Sequence, residues 1–528
     1  MKKKWIRLMA VVIVLCMLLT GCSGVSFEEM MEKLYSAVLL GTSTSFEDMQ
    51  YTRPDLGAFD TQLQETLSQA KTQEDVDDLM DQVYLFYEHY YDFYTNYSLA
   101  NIHYCQNMTD IYWDTEYSWC LENAPQVDAG LDEVLYALAD SPLKEELEGE
   151  AYFGEGFFDA YQGDSLWDET FTELMNQEAK LLDEYYALEA SLTEGEYQSL
   201  EENFVQLVQV RQQIAQYAGY DNYADFAYEF YYYRDYTAAQ TETYLQQIAQ
   251  ELAPMYHSVD VSIWDEMYKE CTEEEVYAYL KECVGQIGGI ADGALTLMEG
   301  AGLYDIGYGE NKYDASFETF LYSYYEPFVF MNPTGYAMDK LTLVHEFGHF
   351  CNDYAVGGTV VGVDVAEVFS QGLEYLSLTY CQDGQALVAA KMADSLCVFV
   401  EQAAYALFEQ QVYLLEEVTV QTVRDTFDQA MAEYGLDAYG MEGWAYVTIP
   451  HLYIAPMYVI SYVVSNDVAL QIYQTELATP GNGVALWEDG LYSTQIGIVA
   501  FVEEMKLTSP FAEGRVVQIR EIMEAALK

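Results

Sequence analysis

Between Pro142 and Pro327 the chain contains a single proline, Pro254, and only ten occur in its 528 residues. Proline kinks or ends helices, so its scarcity leaves room for long ones. From about Ser26 to Gln250 apolar residues recur with the helical period of about 3.6 residues. Leu79, Val83, Phe86, Tyr90 and Phe93 step by four, three, four and three, which lays them along one helix face. With 51 % of residues hydrophobic, there is ample material for a large core in two or three subdomains. The texture changes between Glu299 and Gly335. Glycines 300, 302, 307 and 309 punctuate a loop, and Phe317 to Met331 is dense in Phe, Tyr and Val, residues that favour strands. A mainly α fold with a small β-sheet is expected. The stretch from Phe328 to Gly335 reads as a strand ending in a turn. Its edge, with Phe328, Phe330, Asn332 and Gly335, either pairs with an extended peptide or only supports the helix that follows.

That helix carries the chemistry. Lys340 to Phe350 contains His345-Glu346-Phe347-Gly348-His349, in a chain with only 6 histidines. On a helix, residues four apart share a face, so the two imidazoles can hold one zinc ion and Glu346 can take a proton from its water. Gly348 costs helix stability and suggests a place where another backbone comes close. Beyond a glycine-rich link, Val365 to Tyr375 forms a second apolar helix bearing Glu367 and Glu374. Packed antiparallel on the first, it would place Glu367 opposite the histidines as third ligand, leaving a fourth position for water. Glu374 lies two turns on, where it either orients a ligand histidine or pairs elsewhere as a buried acid. Amide hydrolysis passes through a tetrahedral oxyanion that needs donors. His451, Tyr458 and Tyr462 are suitable, the two tyrosines sharing a helix face.

The remaining features bound the setting. Lys2, Lys3, Lys4 and Arg7 precede the apolar run Met9 to Leu19, which closes on Leu19-Thr20-Gly21-Cys22. This resembles a bacterial lipoprotein signal covering residues 1–21, with Cys22 the lipid-bearing first residue of the mature chain. The folded body is then expected close to the extracytoplasmic face of the membrane. A formal net charge of -67 excludes nucleic-acid binding and reads as a solvated acidic surface. Seven cysteines remain beyond Cys22, irregularly spaced, which is neither a disulfide framework nor a zinc ribbon. Cys351 sits about 200° round the helix from His349, away from the histidine face.

Several motifs together resemble the zinc oligopeptidase family of thimet oligopeptidase and oligoendopeptidase F. They are His-Glu-Phe-Gly-His at 345–349, Glu-x-x-Ser-Gln-x-x-Glu from Glu367 to Glu374, Asn332-Pro-Thr-Gly, and His451-x-Tyr453 with Tyr458 and Tyr462. Arg211 to Tyr223 resembles the family's entry into its catalytic domain. The resemblance covers roughly residues 200 to 510; ahead of it the chain matches only in being helical. It implies a multi-helix bowl with a deep substrate channel and the sheet beside the zinc helix. It also implies a helical domain over 22–200 and a catalytic domain over 201–528. One Zn2+ per chain would be held by His345, His349 and Glu367, with Glu346 as general base and His451, Tyr458 and Tyr462 as donors. The activity implied is internal cleavage of short unfolded peptides; the lipoprotein signal departs from the family's usual cytoplasmic members and adds a membrane tether, and a monomer is expected. A zinc carboxypeptidase of similar helical fold and a non-catalytic peptide- or metal-binding lipoprotein are the competing readings.

Overall fold

The computed structural model describes residues 44–149, 152–154, 156–161, 166–190, 197–358, 361–493 and 495–527. The leader, Cys22 and the helix start expected at Ser26 lie outside them. In chain order the helices are α1 (Leu56–Thr72), α2 (Val76–Gln106), α3 (Ile111–Ala139), α4 (Glu169–Ala190), α5 (Gln198–Tyr217), α6 (Tyr223–Phe230), α7 (Ala238–Glu251), α8 (Glu273–Ile287) and α9 (Gly289–Ala301). Three strands follow, β1 (Tyr304–Ile306), β2 (Ser316–Leu321) and β3 (Glu326–Met331). The remaining longer helices are α10 (Asp339–Val356), α11 (Val363–Tyr380), α12 (Gly384–Cys397), α13 (Ala403–Val412), α14 (Val420–Tyr434), α15 (Ile460–Ala478), α16 (Asn482–Leu491) and α17 (Arg515–Ala526). The fold is therefore mainly α with one small sheet. Among the described residues no helix is long and apolar enough to cross a membrane.

The chain divides into two compact units, but not at one break near residue 200. The first takes residues up to Glu173 together with Gly289–Asn332 and Phe350–Val360; the second takes Leu174–Gly288, Pro333–His349 and Val361–Lys528. The correction has a physical cause, because the strand region bonds back to α2. Ser323 N donates to Thr95 Oγ1 at 2.7 Å and the hydroxyls of Ser98 and Thr319 meet at 3.2 Å. Backbone bonds join Met108 N to Asn311 O at 2.8 Å and Tyr313 N to Cys105 O at 2.9 Å.

In the first unit α1, α2 and α3 begin on Asp55, Asp75 and Asp110, whose carboxylates accept from first-turn amides. Each satisfies donors that the helix leaves orphaned. The apolar faces meet in a core containing Phe59, Leu63, Leu79, Val83, Phe86, Val127 and Leu138. Of the stripe read from the sequence, Tyr90 alone is only half-buried.

The sheet has the order β1-β3-β2. β1 pairs parallel with β3, Tyr304 opposite Val329 and Ile306 opposite Met331; β2 pairs antiparallel along all of β3, from Ser316–Met331 to Leu321–Glu326. This corrects the expectation of a peptide-pairing edge. Over Val329–Met331 both sides of β3 are taken, and Phe328 and Phe330 are buried. Asn332 bridges the loop through Gly309 N at 3.0 Å. Gly335, at φ 86°, donates its amide to Asp339 at 2.8 Å and accepts from Cys271 N at 2.9 Å. These groups serve the fold rather than a ligand.

In the second unit α11 is buried along nearly its whole length, with Val365, Val368, Phe369, Leu373 and Leu376 fully enclosed. It packs along α15 and against α16, where Trp487 donates its indole N–H to Phe369 O at 3.0 Å. One wide π-type turn at Val398–Gln402 joins α12 to α13.

Candidate metal centre

Asp339 fixes the start of α10. Its carboxylate accepts from the amides of Thr334, Gly335 and Tyr336 and from the Thr334 hydroxyl at 2.8 to 3.1 Å. That network sets the helix entry one turn and a half before His345. Leu341, Leu343, Val344 and Phe347 are buried, so the helix cannot rotate without exposing apolar surface. Gly348 is where α10 meets α11: a Cβ there would stand 2.5 Å from Ser370 Cα and 2.7 Å from Phe369 O. The close approach of a backbone inferred from this glycine is present, and it brings Glu367 to the histidines.

The structure brings His345, His349 and Glu367 together, one potential donor atom of each within 4.8 Å of the others. His345 Nε2 lies 3.4 Å and His349 Nε2 3.7 Å from Glu367 Oε2. Ligands about 2.1 Å from a tetrahedral ion stand about 3.4 Å apart, so the spacing fits a zinc-sized cation, as does a donor set of two imidazoles and one carboxylate. Glu374 Oε1 accepts from His345 Nδ1 at 2.7 Å, which leaves Nε2 as the atom facing Glu367. Glu374 Oε2 meets Lys391 Nζ, on α12, at 2.6 Å, and Lys391 reaches Asp394 at 3.0 Å. A chain of contacts thus runs from a buried lysine through a carboxylate to an imidazole.

The local field follows from burial and these partners. Burial works against the His345 imidazolium, but the Glu374 hydrogen bond and the Glu367 charge outweigh it and push the pKa up to about 9. His349 has no such partner, and burial lowers it to about 4. For Glu374 burial favours the neutral acid, yet Lys391 and His345 prevail and hold it below the usual carboxylate range. Glu346, one residue from His345, is pushed up to about 7, first by burial and then by Glu367 and Glu374, against the His345 charge. A carboxyl poised there can both accept and return a proton near neutral pH.

On the far side of Glu367 lies the aromatic segment. Tyr458 Oη donates to Glu367 Oε1 at 2.6 Å, and the Ser370 hydroxyl donates to Oε2 at 3.0 Å. Tyr462 Oη and His451 Nε2 are 3.1 Å apart, with the two tyrosine rings 5.3 Å apart. His451, Tyr458 and Tyr462 are therefore one group beside the cluster. Burial lowers the His451 pKa and raises both phenols far above their ordinary value, so all three stay neutral and can donate or accept.

Four residues that matter here escaped the sequence reading: Tyr232, Arg234, Lys391 and Glu409. Tyr232 belongs to a tyrosine run that reads as core packing. Of the three charged residues, Lys391 did carry a signal. In a chain with 21 basic residues against 88 acidic ones, a lone lysine inside the apolar run Leu387 to Ala393 is anomalous, because a buried cation must be paired.

Two histidines a turn apart, a glutamate from the following helix and a flanking acid form a group that could hold a single metal ion on a helical scaffold. Comparison with known proteins shows what the chain is similar to. A profile of the Peptidase M3 N-terminal domain matches residues 46–164, inside the first unit. This corrects the reading that the N-terminal part matches in helicity alone. The whole chain is similar to a solved structure assigned as an oligoendopeptidase F, with a TM-score of 0.80 at 20 % identity, covering 92 % of this chain and 99 % of that one. A second, assigned as oligoendopeptidase F from Bacillus anthracis str. Ames, gives 0.76 at 20 % identity over 92 % and 98 %. PZ peptidase A with an inhibitor gives 0.80 at 19 % identity over 91 % and 99 %. No curated protein sequence matches the chain. The fold is that of oligoendopeptidase F, in agreement with the zinc oligopeptidase resemblance carried by the motifs.

Proposed function

We propose that this chain is a zinc-dependent oligoendopeptidase that cuts internal bonds of short unfolded peptides. The observation that carries the reading is the convergence of His345 Nε2, His349 Nε2 and Glu367 Oε2, with Glu346 on the same helix turn. Zinc bound by these three residues would lower the pKa of a water toward neutrality and polarise the scissile carbonyl. Glu346 accepts the proton of the attacking water as its oxygen bonds to the carbonyl carbon. The same carboxyl then returns that proton to the departing amine nitrogen as the C–N bond breaks. Tyr458, Tyr462 and His451 supply neutral donors for the developing oxyanion. Glu374 keeps His345 in the tautomer that presents Nε2.

The test uses the zinc-loaded protein with a mixture of unstructured peptides of about 6 to 15 residues and a folded protein, read by mass spectrometry. Internal cuts in the peptides, abolished by a chelator, support the proposal. Stepwise loss from C-termini would mark a carboxypeptidase. No cuts at all, with one zinc per chain, would mark a binding protein. The setting is proposed on sequence alone: lipidation at Cys22 tethers a monomer to the extracytoplasmic face of a bacterial membrane. An N-terminal peptide of the purified native protein without a diacylglyceryl mass on Cys22 would reject the tether.

A further inference from the structure

The segment that carries Tyr458 turns sharply just before it. Met457 has φ 67°, the left-handed region, which costs a side-chain-bearing residue energy and persists only where surroundings enforce it. The enforcing groups come from distant parts of the second unit. Tyr232 Oη donates to Pro456 O at 2.7 Å. Glu409 Oε1, on α13, accepts from Met457 N at 2.6 Å. Arg234 Nη1 donates to Met457 O at 2.9 Å and Nη2 to the Ser461 hydroxyl at 2.8 Å. The Arg234 guanidinium lies over the Tyr228 and Tyr232 rings at 4.3 and 4.5 Å, and its Nε reaches Asp364 at 3.3 Å. Tyr458 N closes the turn on Ala455 O at 3.1 Å. Arg234 and Glu409 are 1 % and 2 % exposed.

Burying a carboxyl group to hold one amide is an expensive way to satisfy a backbone. Glu409 Oε2 has no hydrogen-bond partner among the described residues, so the fold keeps a half-satisfied acid at this point. Its one bond lands on the residue whose backbone conformation aims Tyr458, and Tyr458 Oη reaches Glu367. We propose that Glu409 is a positioning residue for the Tyr458 hydroxyl, acting through the strained Met457 turn together with Tyr232 and Arg234. This inference rests on the peptidase reading of the site, since it gives the hydroxyl its purpose.

The test compares Glu409→Leu, which keeps bulk but loses the acceptor, with Glu409→Gln, whose amide oxygen can still accept from Met457 N. Glu409→Leu should lower kcat about 10²-fold with KM and zinc content unchanged, and Glu409→Gln should stay near the parent. In a Tyr458→Phe background Glu409→Leu should add no further loss, because both changes remove the same interaction. Additive losses would overturn the proposal, as would a Glu409→Leu enzyme of normal kcat. A readout free of activity is the 19F spectrum of 3-fluorotyrosine placed at 458. One narrow line should persist in Glu409→Gln and shift or broaden in Glu409→Leu; an unmoved line rejects the positioning role. If Glu409→Leu does not fold, Tyr232→Phe removes the bond to Pro456 O from the same turn and should move the same resonance. A parent protein that cuts no peptide would sink the functional reading, while the 19F comparison would still decide the positioning.

Discussion

The two units bury different materials. The first is closed mainly by rings and aliphatic side chains, and among its described residues the most enclosed cation is Lys312, whose side chain is 9 % exposed. The second encloses Arg211, Arg234, Lys391 and Arg515, each at most 4 % exposed and each facing a carboxylate. Apolar burial stabilises without demanding a particular geometry. A buried ion pair contributes little net stability after desolvation, but it punishes any loss of geometry. The second unit therefore spends stability on orientation, and it does so where the candidate metal ligands lie. Arg211 shows the pattern: it binds Glu178 at 2.6 Å, Tyr413 Oη and Leu452 O at 3.1 Å each, and Tyr453 O, pinning the backbone beside His451.

The sharpest break in this comparison is Glu346→Gln. It leaves every contact of the three ligands in place and removes only the proton acceptor. Turnover should fall about 10³-fold while bound zinc, counted by elemental analysis, stays at one per chain. Substantial residual turnover would mean that orientation around the cluster serves something other than hydrolysis by this acid.

Glu374→Ala comes next. It frees His345 Nδ1 and leaves Lys391 with only Asp394. Zinc affinity should drop about 10- to 100-fold in a competition titration with a chelator. Stability should fall by about 3 to 5 kcal/mol in urea unfolding, because a buried ammonium loses its main partner. The double change Glu374→Leu with Lys391→Met, which removes both the acceptor and the stranded ammonium, separates the two effects: stability should recover and affinity should not. If affinity recovers as well, the lysine–glutamate pair only supports the fold.

The sequence exposed the site unevenly, and the reason is physical. His345, Glu346, His349, Glu367 and Glu374 are legible because metal ligation and acid–base work demand particular residue types at helical spacing. Gly348 is legible because a helix tolerates glycine at a cost, and that cost implies contact. The clamp of Tyr232, Arg234 and Glu409 is not legible. Its partners are backbone atoms far away in sequence, and backbone atoms leave no mark on residue type. The strand at Phe328 and Phe330 was found as a strand, but its place in the middle of the sheet depends on β1, only three residues long. The single domain break failed for a similar reason, since the return of Gly289–Asn332 to the first unit depends on tertiary bonds to α2 and the residues just after it.

Gly348→Ala probes the joint itself with one methyl group. The new Cβ would meet backbone, Ser370 Cα at 2.5 Å and Phe369 O at 2.7 Å, and backbone cannot rotate away as a side chain can. α10 and α11 must separate, at a cost of about 1 to 3 kcal/mol. Because Glu367 rides on α11, zinc affinity should fall with stability. A stable variant of unchanged affinity would show that the two helices do not set the ligand spacing.

The smallest expected effect tests the contrast from the other side. Arg53 and Glu116, in the first unit, form a two-point ion pair at 2.6 and 2.8 Å, as close as the 2.6 Å Arg211–Glu178 pair of the second. Yet the Arg53 side chain is 45 % exposed. Removing it lets water reach Glu116, which also keeps its bond from Tyr51 Oη at 2.6 Å, so no charge is stranded. Arg53→Ala should cost no more than about 1 kcal/mol. Arg234→Ala leaves Asp364 and the Met457 carbonyl without their cation in a dry interior and should cost about 3 to 5 kcal/mol. Both are measured by urea unfolding followed by probes specific to each unit. Equal costs would show that the geometry of an ion pair, and not its isolation from water, divides the two units, and the argument from burial to function would fall with it.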